Sequence, residues 1–575
     1  MSNDLTTPSG EAPMAPPRRG RRKLWVAAGV AGLTGVVGLA AVGGLAARNQ
    51  KSGERHQASN TQASAPKQNV SDAGEAEETG GEESGKGDQS DRDDRSGKGK
   101  GSGGRERVKE VPCDTDKLID AITVANRTDG ATLKLAEHCT YTLTRHDEWG
   151  NGLPRINQPI TLKGDKTRIE RDPTAKPFRI LNVGPGGELT LKGLTIKGGQ
   201  LKDDKKKDYS KPRVRWGSAP NGAEVAPAAP NAAAAGATPN AAAAGVTSNA
   251  AAAEATVAAT GPAATTAVTP GTEAGAQATP TGPHGHTPTE GAGLLVHQGG
   301  RAVVVDSTFV QNHAAGDGGA IANFGATRID ETLIERNSAG GVGGGIFNAG
   351  VLNLERSKVS QNSAEDGGGG VANGTPDKPY GVEGGTVYIF KSKISQNRTA
   401  GDGGGLADNR GTTSASHSEF TDNTAGSDVG GVLANEDSQL TLKDVVVARN
   451  STQGRAGGIG IGEGTKAVIE HSTIKENVSD GNGGGIYNFG STVLRDTDVL
   501  ANQAVGKYAQ AGGIFNDGGE VSLIRSKVAF NFSTKKPGGI FTNNDRVDID
   551  SKSTVVDNRP TNCLGSPVIP DRCFG

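Results

Sequence analysis

Between about Gly299 and Asn558 the chain is built from short apolar segments of three to five residues, such as Val303-Val304-Val305 and Thr441-Leu442-Lys443. Val, Ile, Leu and Thr dominate them, and Gly and Asn separate them. Such segments are too short for helices; alternation bounded by Gly and Asn is a strand signal. The pattern also repeats. One copy reads Gly343-Gly344-Gly345-Ile346-Phe347-Asn348, Leu352-Asn353-Leu354, Ser357-Lys358-Val359, Asn362. Another reads Gly483-Gly484-Gly485-Ile486-Tyr487-Asn488, Thr492-Val493-Leu494, Thr497-Asp498-Val499, Asn502.

The last Asn of each copy falls at Asn312, Asn337, Asn362, Asn397, Asn423, Asn450, Asn477, Asn502, Asn531 and Asn558, in steps of 25 to 35 residues. The one long step is explained by an insertion around Thr375 to Glu383. A second series runs in phase at Asn323, Asn348, Asn373, Asn409, Asn435, Asn488, Asn516 and Asn543, with one member missing where the chain reads Gly457-Gly458-Ile459-Gly460. A fixed period of this kind signals a solenoid. Two or three short strands with turns in 25 to 27 residues fit one coil of a parallel β-helix, and ten coils at about 4.8 Å make a rod segment roughly 50 Å long. The Ile of each Gly-Gly-x-Ile is expected inward, stacked on its neighbours. The recurrent Asn is expected to take a left-handed turn and to bond along the rod as an amide ladder.

Upstream, Leu118, Ile119, Ile122 and Ala125 share one face of a helix over Asp114 to Asn126, with Asp114 or Thr115 as its N-cap. A solenoid end needs a lid over its open edges, and this helix is the candidate. Alternating segments at 132–135, 141–143, 160–162, 178–181, 188–191 and 194–196 read as first, less regular coils.

Composition fits one elongated solenoid with unstructured extensions better than several domains. Gly makes up 88 of 575 residues, 33% are apolar and 4% aromatic. Net charge is -2 and the repeats carry no basic run, which argues against a nucleic-acid partner. The four cysteines, Cys113, Cys139, Cys563 and Cys573, form a close pair at each end of the repeats. That placement predicts disulfides Cys113–Cys139 and Cys563–Cys573 in an oxidising compartment. Five basic residues, Arg18, Arg19, Arg21, Arg22 and Lys23, precede 24 uncharged residues, Leu24 to Ala47. Two readings stand: a single membrane span with its N-terminus inside, or a cleaved export signal. Both place the rest of the chain outside the cell, and the paired arginines leave a twin-arginine route open.

The predicted order is a basic tail (1–23), the apolar stretch (24–47), a disordered linker (48–110), an N-terminal cap with first coils (111–200), a disordered Ala/Pro/Thr-rich insertion (201–290), regular coils (291–558) and a disulfide-held C-terminal cap (559–575). The linker is too polar to bury a core and spans about 45 Å as a flexible chain. The insertion is a lateral arm whose composition suits O-glycosylation.

The stretches Leu118-Ile119-x-Ala121-Ile122, Leu135-Ala136-x-x-Cys139-Thr140-Tyr141-Thr142-Leu143 and Leu189-Thr190-Leu191-x-Gly193-Leu194-Thr195-Ile196 resemble the opening of actinobacterial secreted right-handed parallel β-helix proteins. The Gly-Gly-x-Ile-x-Asn coils are similar to that family and to polymorphic outer-membrane-protein-type repeats. The resemblance implies an all-β, single-stranded right-handed parallel β-helix of pectate-lyase-like architecture. Its members are mostly surface proteins, so it says little of activity.

No catalytic set can be assembled from the letters. The best candidate binding residues are the acids just before the glycine corners, Asp317, Asp366, Asp402, Asp428 and Asp480, which would stack into an acidic file able to hold Ca²⁺ or a cationic polymer. The plainer reading is that Asp is a good turn residue. His313, His417 and His471 occupy different places in their coils. Arg336, Arg356, Arg449, Arg495 and Arg525 read as solvated. Phe347, Tyr487, Phe515 and Phe541 share one coil position, as packing or as a sugar platform. No cofactor other than that Ca²⁺ is expected. The leading expectation is a non-enzymatic cell-surface or secreted module that binds or scaffolds polysaccharide or a surface protein. A β-helix lyase or glycoside hydrolase and a purely structural coat component are the alternatives.

Overall fold

The computed structural model describes residues 108–202, 289–376 and 381–575. The basic tail, the apolar stretch 24–47, nearly all of the linker and the insertion from 203 to 288 lie outside the described residues. Among those described, no helix is long and apolar enough to cross a membrane.

Each regular coil is a run of short strands, four rather than the two or three expected. One coil runs Ile321–Asn323, Ala326–Asp330, Leu333–Glu335 and Ser338–Ala339. Coil upon coil, these stack into a 25-stranded sheet, an 11-stranded sheet and a 9-stranded sheet. Successive coils pair in parallel, as in Ile321↔Ile346↔Val371 and Ile334↔Val359↔Ile394. The result is a parallel β-solenoid of about 13 turns. Strand Glu188–Lys197, before the insertion, pairs directly with Arg301–Val305 and Thr308–Val310 after it. The solenoid is therefore continuous across that point.

Alternation along each strand fills the interior. Ile321, Ile346, Val371, Leu406, Val432, Ile459, Ile486, Ile514 and Ile540 form one fully buried column. The helix Thr115–Arg127 is capped by Asp114, whose side chain accepts from the Lys117 N–H. Its buried face, Leu118, Ala121, Ile122 and Ala125, joins the same core. Three boundaries differ from expectation. Val108–Val111, partly assigned to the linker, is a strand paired with 132–135. Leu201 and Glu290, assigned to the insertion, are buried in the coils.

The Asn column lies at a corner. Asn337 accepts at Oδ1 from both the N–H and the Nδ2 of Asn312, at 3.0 Å each. Its own Nδ2 donates to the Phe309 carbonyl and to Oδ1 of Asn362. The pattern repeats through Asn397, Asn423, Asn450, Asn477, Asn502 and Asn531 to Asn558. Beyond Asn558 the tail supplies Asn562, which accepts in the same way and sits beside the Cys563–Cys573 disulfide. At the other end Cys113 is bonded to Cys139. The left-handed residue is not the Asn, as expected, but the one before it: Arg336, Gln361, Asp422 and Glu476 have φ near +55°. This kink turns the Asn inward, where its amide satisfies backbone groups that would otherwise be orphaned in the core.

A second corner works the same way with hydroxyls. Arg356 and Lys391 have positive φ. The following Ser357 and Ser392 accept backbone N–H groups from the coil before, Thr332 to Ser357 and Ser357 to Ser392.

The second Asn series is less regular than its spacing suggests. Asn323, Asn348 and Asn373 bond in line, but the next position belongs to Asp408, not Asn409. The following coils place Ala434 and Ile461 there, so the series breaks at two coils rather than one, and it resumes at Asn488 and Asn516. It ends on Thr542 rather than Asn543.

Candidate functional site

The expected acidic file does not form. Val342 and Gly367 stand between Asp317 and Asp402 in the same column, and Asp366 and Asp480 lie off that column. Only Asp402 and Asp428 are consecutive, with the Asp428 N–H donating to Asp402 Oδ1 at 2.8 Å. Asp317 does the same turn work for the Val342 N–H. The next residue after Asp428 in the column is a cation, Arg455, whose Nη2 lies 2.9 Å from Asp428 Oδ2. Among the described residues no group of three or more His, Cys, Asp or Glu is arranged to hold a metal ion. Asp317, Asp402 and Asp428 thus cap backbone N–H groups of the adjoining coil.

Arg455 heads a polar cluster with Asp428, Tyr487 and Asp517. Its guanidinium carbon is 5.2 Å from the Tyr487 ring centroid and 5.8 Å from that of Phe489. The Tyr487 hydroxyl donates to Asp517 Oδ2 at 2.8 Å. The ring stacks on Phe515, 4.8 Å away, which stacks on Phe541 at 4.2 Å. The backbone here departs from the glycine rule: Val429 and Ala456, which follow Asp428 and Arg455, have φ of 61° and 60° where most other coils place Gly, and Ala511 is a third exception at 54°. Their side chains pack with Leu433, Tyr487 and Phe515. That packing holds two residues in a conformation that is uncommon for Ala and a genuine outlier for Val. Burial and the Asp517 carboxylate both push the Tyr487 phenol above its ordinary pKa, so it stays a donor rather than a base. Ring faces are occupied by other rings or by Arg455, and Asp428 and Tyr487 are buried. The cluster is a clamp between coils; the aromatic column is packing, not a platform for sugar. Phe347 stands apart from it, against Phe324.

An open site lies at the hydroxyl corner. Arg356, Lys358, Lys391 and Lys393, from two successive coils, line a shallow depression of about 510 Å³ together with Glu331 and Glu419. Parallel register puts Lys358 beside Lys393. Arg356 is fixed by Asp330 and by Glu331, the latter at 3.3 Å, and Lys393 by Glu419 at 2.7 Å. Lys391 lies over the Phe390 ring, and no carboxylate of the described residues pairs with it or with Lys358. Asp330, Glu331 and Glu355 pair with Arg356 and Glu419 pairs with Lys393, so the positive charge left to the depression is that of Lys358 and Lys391. Repeat reading missed it because these residues are 35 apart, in the one coil lengthened by an insertion; Arg356 read as merely solvated. The surviving signal was Lys358 and Lys393 at the same coil position.

Elsewhere the corner residues form ion pairs from coil to coil. Arg449 bonds Asp422 at 2.8 Å and Arg525 bonds Asp496 at 2.6 Å; both carboxyls are held below their usual range, chiefly by those bonds. Arg336 bonds Gln361, and Arg495 pairs with Glu470.

No protein-family model matches the chain, and no curated protein matches it. Among solved structures it is similar to the Azotobacter vinelandii mannuronan C-5 epimerase AlgE6 A-module, at 12% identity over 80% of this chain and 97% of that one, with a TM-score of 0.31. At that TM-score the likeness carries no weight in reading the site.

Proposed function

We propose that this chain is a non-enzymatic β-solenoid displayed outside the cell, where it binds an extended anionic polysaccharide along its rod. The observation that carries the reading is the open positive depression at Arg356, Lys358, Lys391 and Lys393. Two of its cations are held by neighbouring carboxylates, which fixes the site, and two lack such partners, which leaves charge for a ligand. Coils repeat at about 4.8 Å, so a linear polymer lying along the rod spans the cations of both coils. The solenoid is the rigid part of this design. The helix Thr115–Arg127 serves as a lid at one end and the disulfide-held tail at the other. Two disulfides fit an oxidising location. Residues 24–47 supply either a membrane anchor or an export signal, and 48–107 the spacer.

The test is binding of the full-length chain to a panel of uronate-containing and neutral polysaccharides, with release of unsaturated or reducing ends followed in parallel. Salt-sensitive retention of anionic polymers without product is expected. Replacing Lys358→Glu and Lys391→Glu together should weaken retention at least about tenfold, as loss of about 1.4 kcal/mol or more would do. Product release would establish the lyase or hydrolase reading instead, and equal binding to neutral polymers would refute the electrostatic one.

A further inference from the structure

The corner before each ladder Asn carries a left-handed residue, and in most coils it is polar: Gln361, Gln396, Asp422 and Glu476. The position just after the Asn is similarly small or polar at Ser338, Ser363, Thr424 and Ser451. From Gln311 to Gln503 no coil places Phe, Tyr or Trp at either position. One coil then places phenylalanine at both. Phe530 has φ of +60° and is 56% exposed; Phe532 is 44% exposed. Folding gives no reason for this choice. A bulky residue is poorly suited to the left-handed region, and here more than half of its surface stays exposed.

The two rings flank an open depression of about 610 Å³ floored by Asn531 and Asn558, with Asp557 and Arg559 on its far side. Lys527 Nζ lies 5.4 Å from the Phe530 ring centroid. A sugar ring suits such a place: its C–H face covers an aromatic ring while its hydroxyl and carboxylate edge reaches charged neighbours. Asp557 lines the depression and Asp498 lies beside Lys527 in register, but the charged group set against an aromatic ring is the Lys527 ammonium, with Arg559 next to Phe532, so the sugar that pairs at the rings is an anionic one. The register also links this place to the positive depression. Lys358, Lys393 and Lys527 share one column, and Lys527 lies five coils beyond Lys393. At the usual strand spacing that is about 24 Å along the same narrow face.

We propose that Phe530 and Phe532, edged by Lys527 and Arg559, form an aromatic stacking subsite for an acidic sugar of the same polysaccharide. This rests on the polysaccharide-binding reading above and adds a second point of contact to it.

The experiment is calorimetric titration of the full-length chain with uronate oligosaccharides and with neutral oligosaccharides of equal length. It is repeated for Phe530→Gly, Phe532→Ser and the pair, with melting temperatures and sedimentation measured alongside. Gly suits the left-handed corner and Ser stands at the second position in three earlier coils, at Ser338, Ser363 and Ser451, so neither change should lower the melting temperature. The pair is expected to weaken uronate binding at least tenfold. Wild-type affinity in the paired variant would overturn the subsite while leaving the polysaccharide reading in place. Absence of uronate binding by the wild type would overturn both. Weakened binding that tracks a lowered melting temperature would make the rings structural. Self-association lost only in the variants would make a second copy of the chain the occupant; either result overturns the proposal.

Discussion

Asp408 offers the sharpest test of how the interior is held. It takes the place of an Asn in the second ladder, fully buried, accepting from Asn373 Nδ2 at 3.1 Å and from Thr413 Oγ1 at 2.6 Å. Burial pushes its carboxyl up to about 6 from the ordinary 3.8, although those bonds and the Gly411 N–H act in the other direction. The folded state therefore binds this proton more tightly than the unfolded chain does. The stabilisation is fully present below about pH 4, falls as pH rises through 6, and is flat above. Two units at about 1.4 kcal/mol each make the ionised carboxylate roughly 3 kcal/mol less favourable at pH 8 than the protonated one at pH 4. Asp408→Asn removes the titration. The amide can still accept from Asn373, and the Thr413 hydroxyl can reverse to accept from Nδ2. The variant should be more stable than wild type by about 1–3 kcal/mol at pH 8 and nearly equal to it at pH 4. Urea denaturation of both proteins across that range measures it. A difference independent of pH, or a variant destabilised at pH 8, would refute the reasoning.

Other substitutions probe separate parts of the coil. Asn362→Ala removes the acceptor of the buried Asn337 N–H and of one of the two bonds its Nδ2 makes, together with the donor to the Ile334 carbonyl; a loss of about 3 kcal/mol or more is expected in denaturation. Cys563→Ser with Cys573→Ser opens a 10-residue separation and frees Asn562. About 2–3 kcal/mol should be lost, with faster hydrogen exchange at 540–562 and little change before Asn450. Arg455→Met leaves Asp428 buried without its cation, and about 3–5 kcal/mol of destabilisation is expected, largely restored by Asp428→Asn in the same chain.

Much of the fold was legible because a solenoid writes its contacts at a constant interval. Residues about 26 apart are neighbours, so the Ile column and the Asn312-to-Asn558 column could be read straight from spacing. What spacing cannot resolve is a slip of one residue. Asp408 and Asn409 are adjacent, and only the paired strand shows that Asp408 faces the ladder. Small slips also scattered the acids before the corners: Asp366 sits one place and Asp480 two places away from the column of Asp402 and Asp428. Side-chain roles at the corners were hidden for another reason. Ser357 and Thr497 were visible as repeating residues, but their hydroxyls bond backbone of the preceding coil, which no local pattern reports. The positive depression depends on two coils whose spacing an insertion had stretched.

Distances between coils test the stacked spiral directly. Spin labels at Ser338 paired with Ser451, Val478 or Gln503, all in one column, are separated by four, five and six coils. Pulsed electron resonance should give about 19, 24 and 29 Å, rising by one strand spacing each time. Separations that fail to rise in equal steps would contradict the parallel solenoid and, with it, both sugar-binding sites.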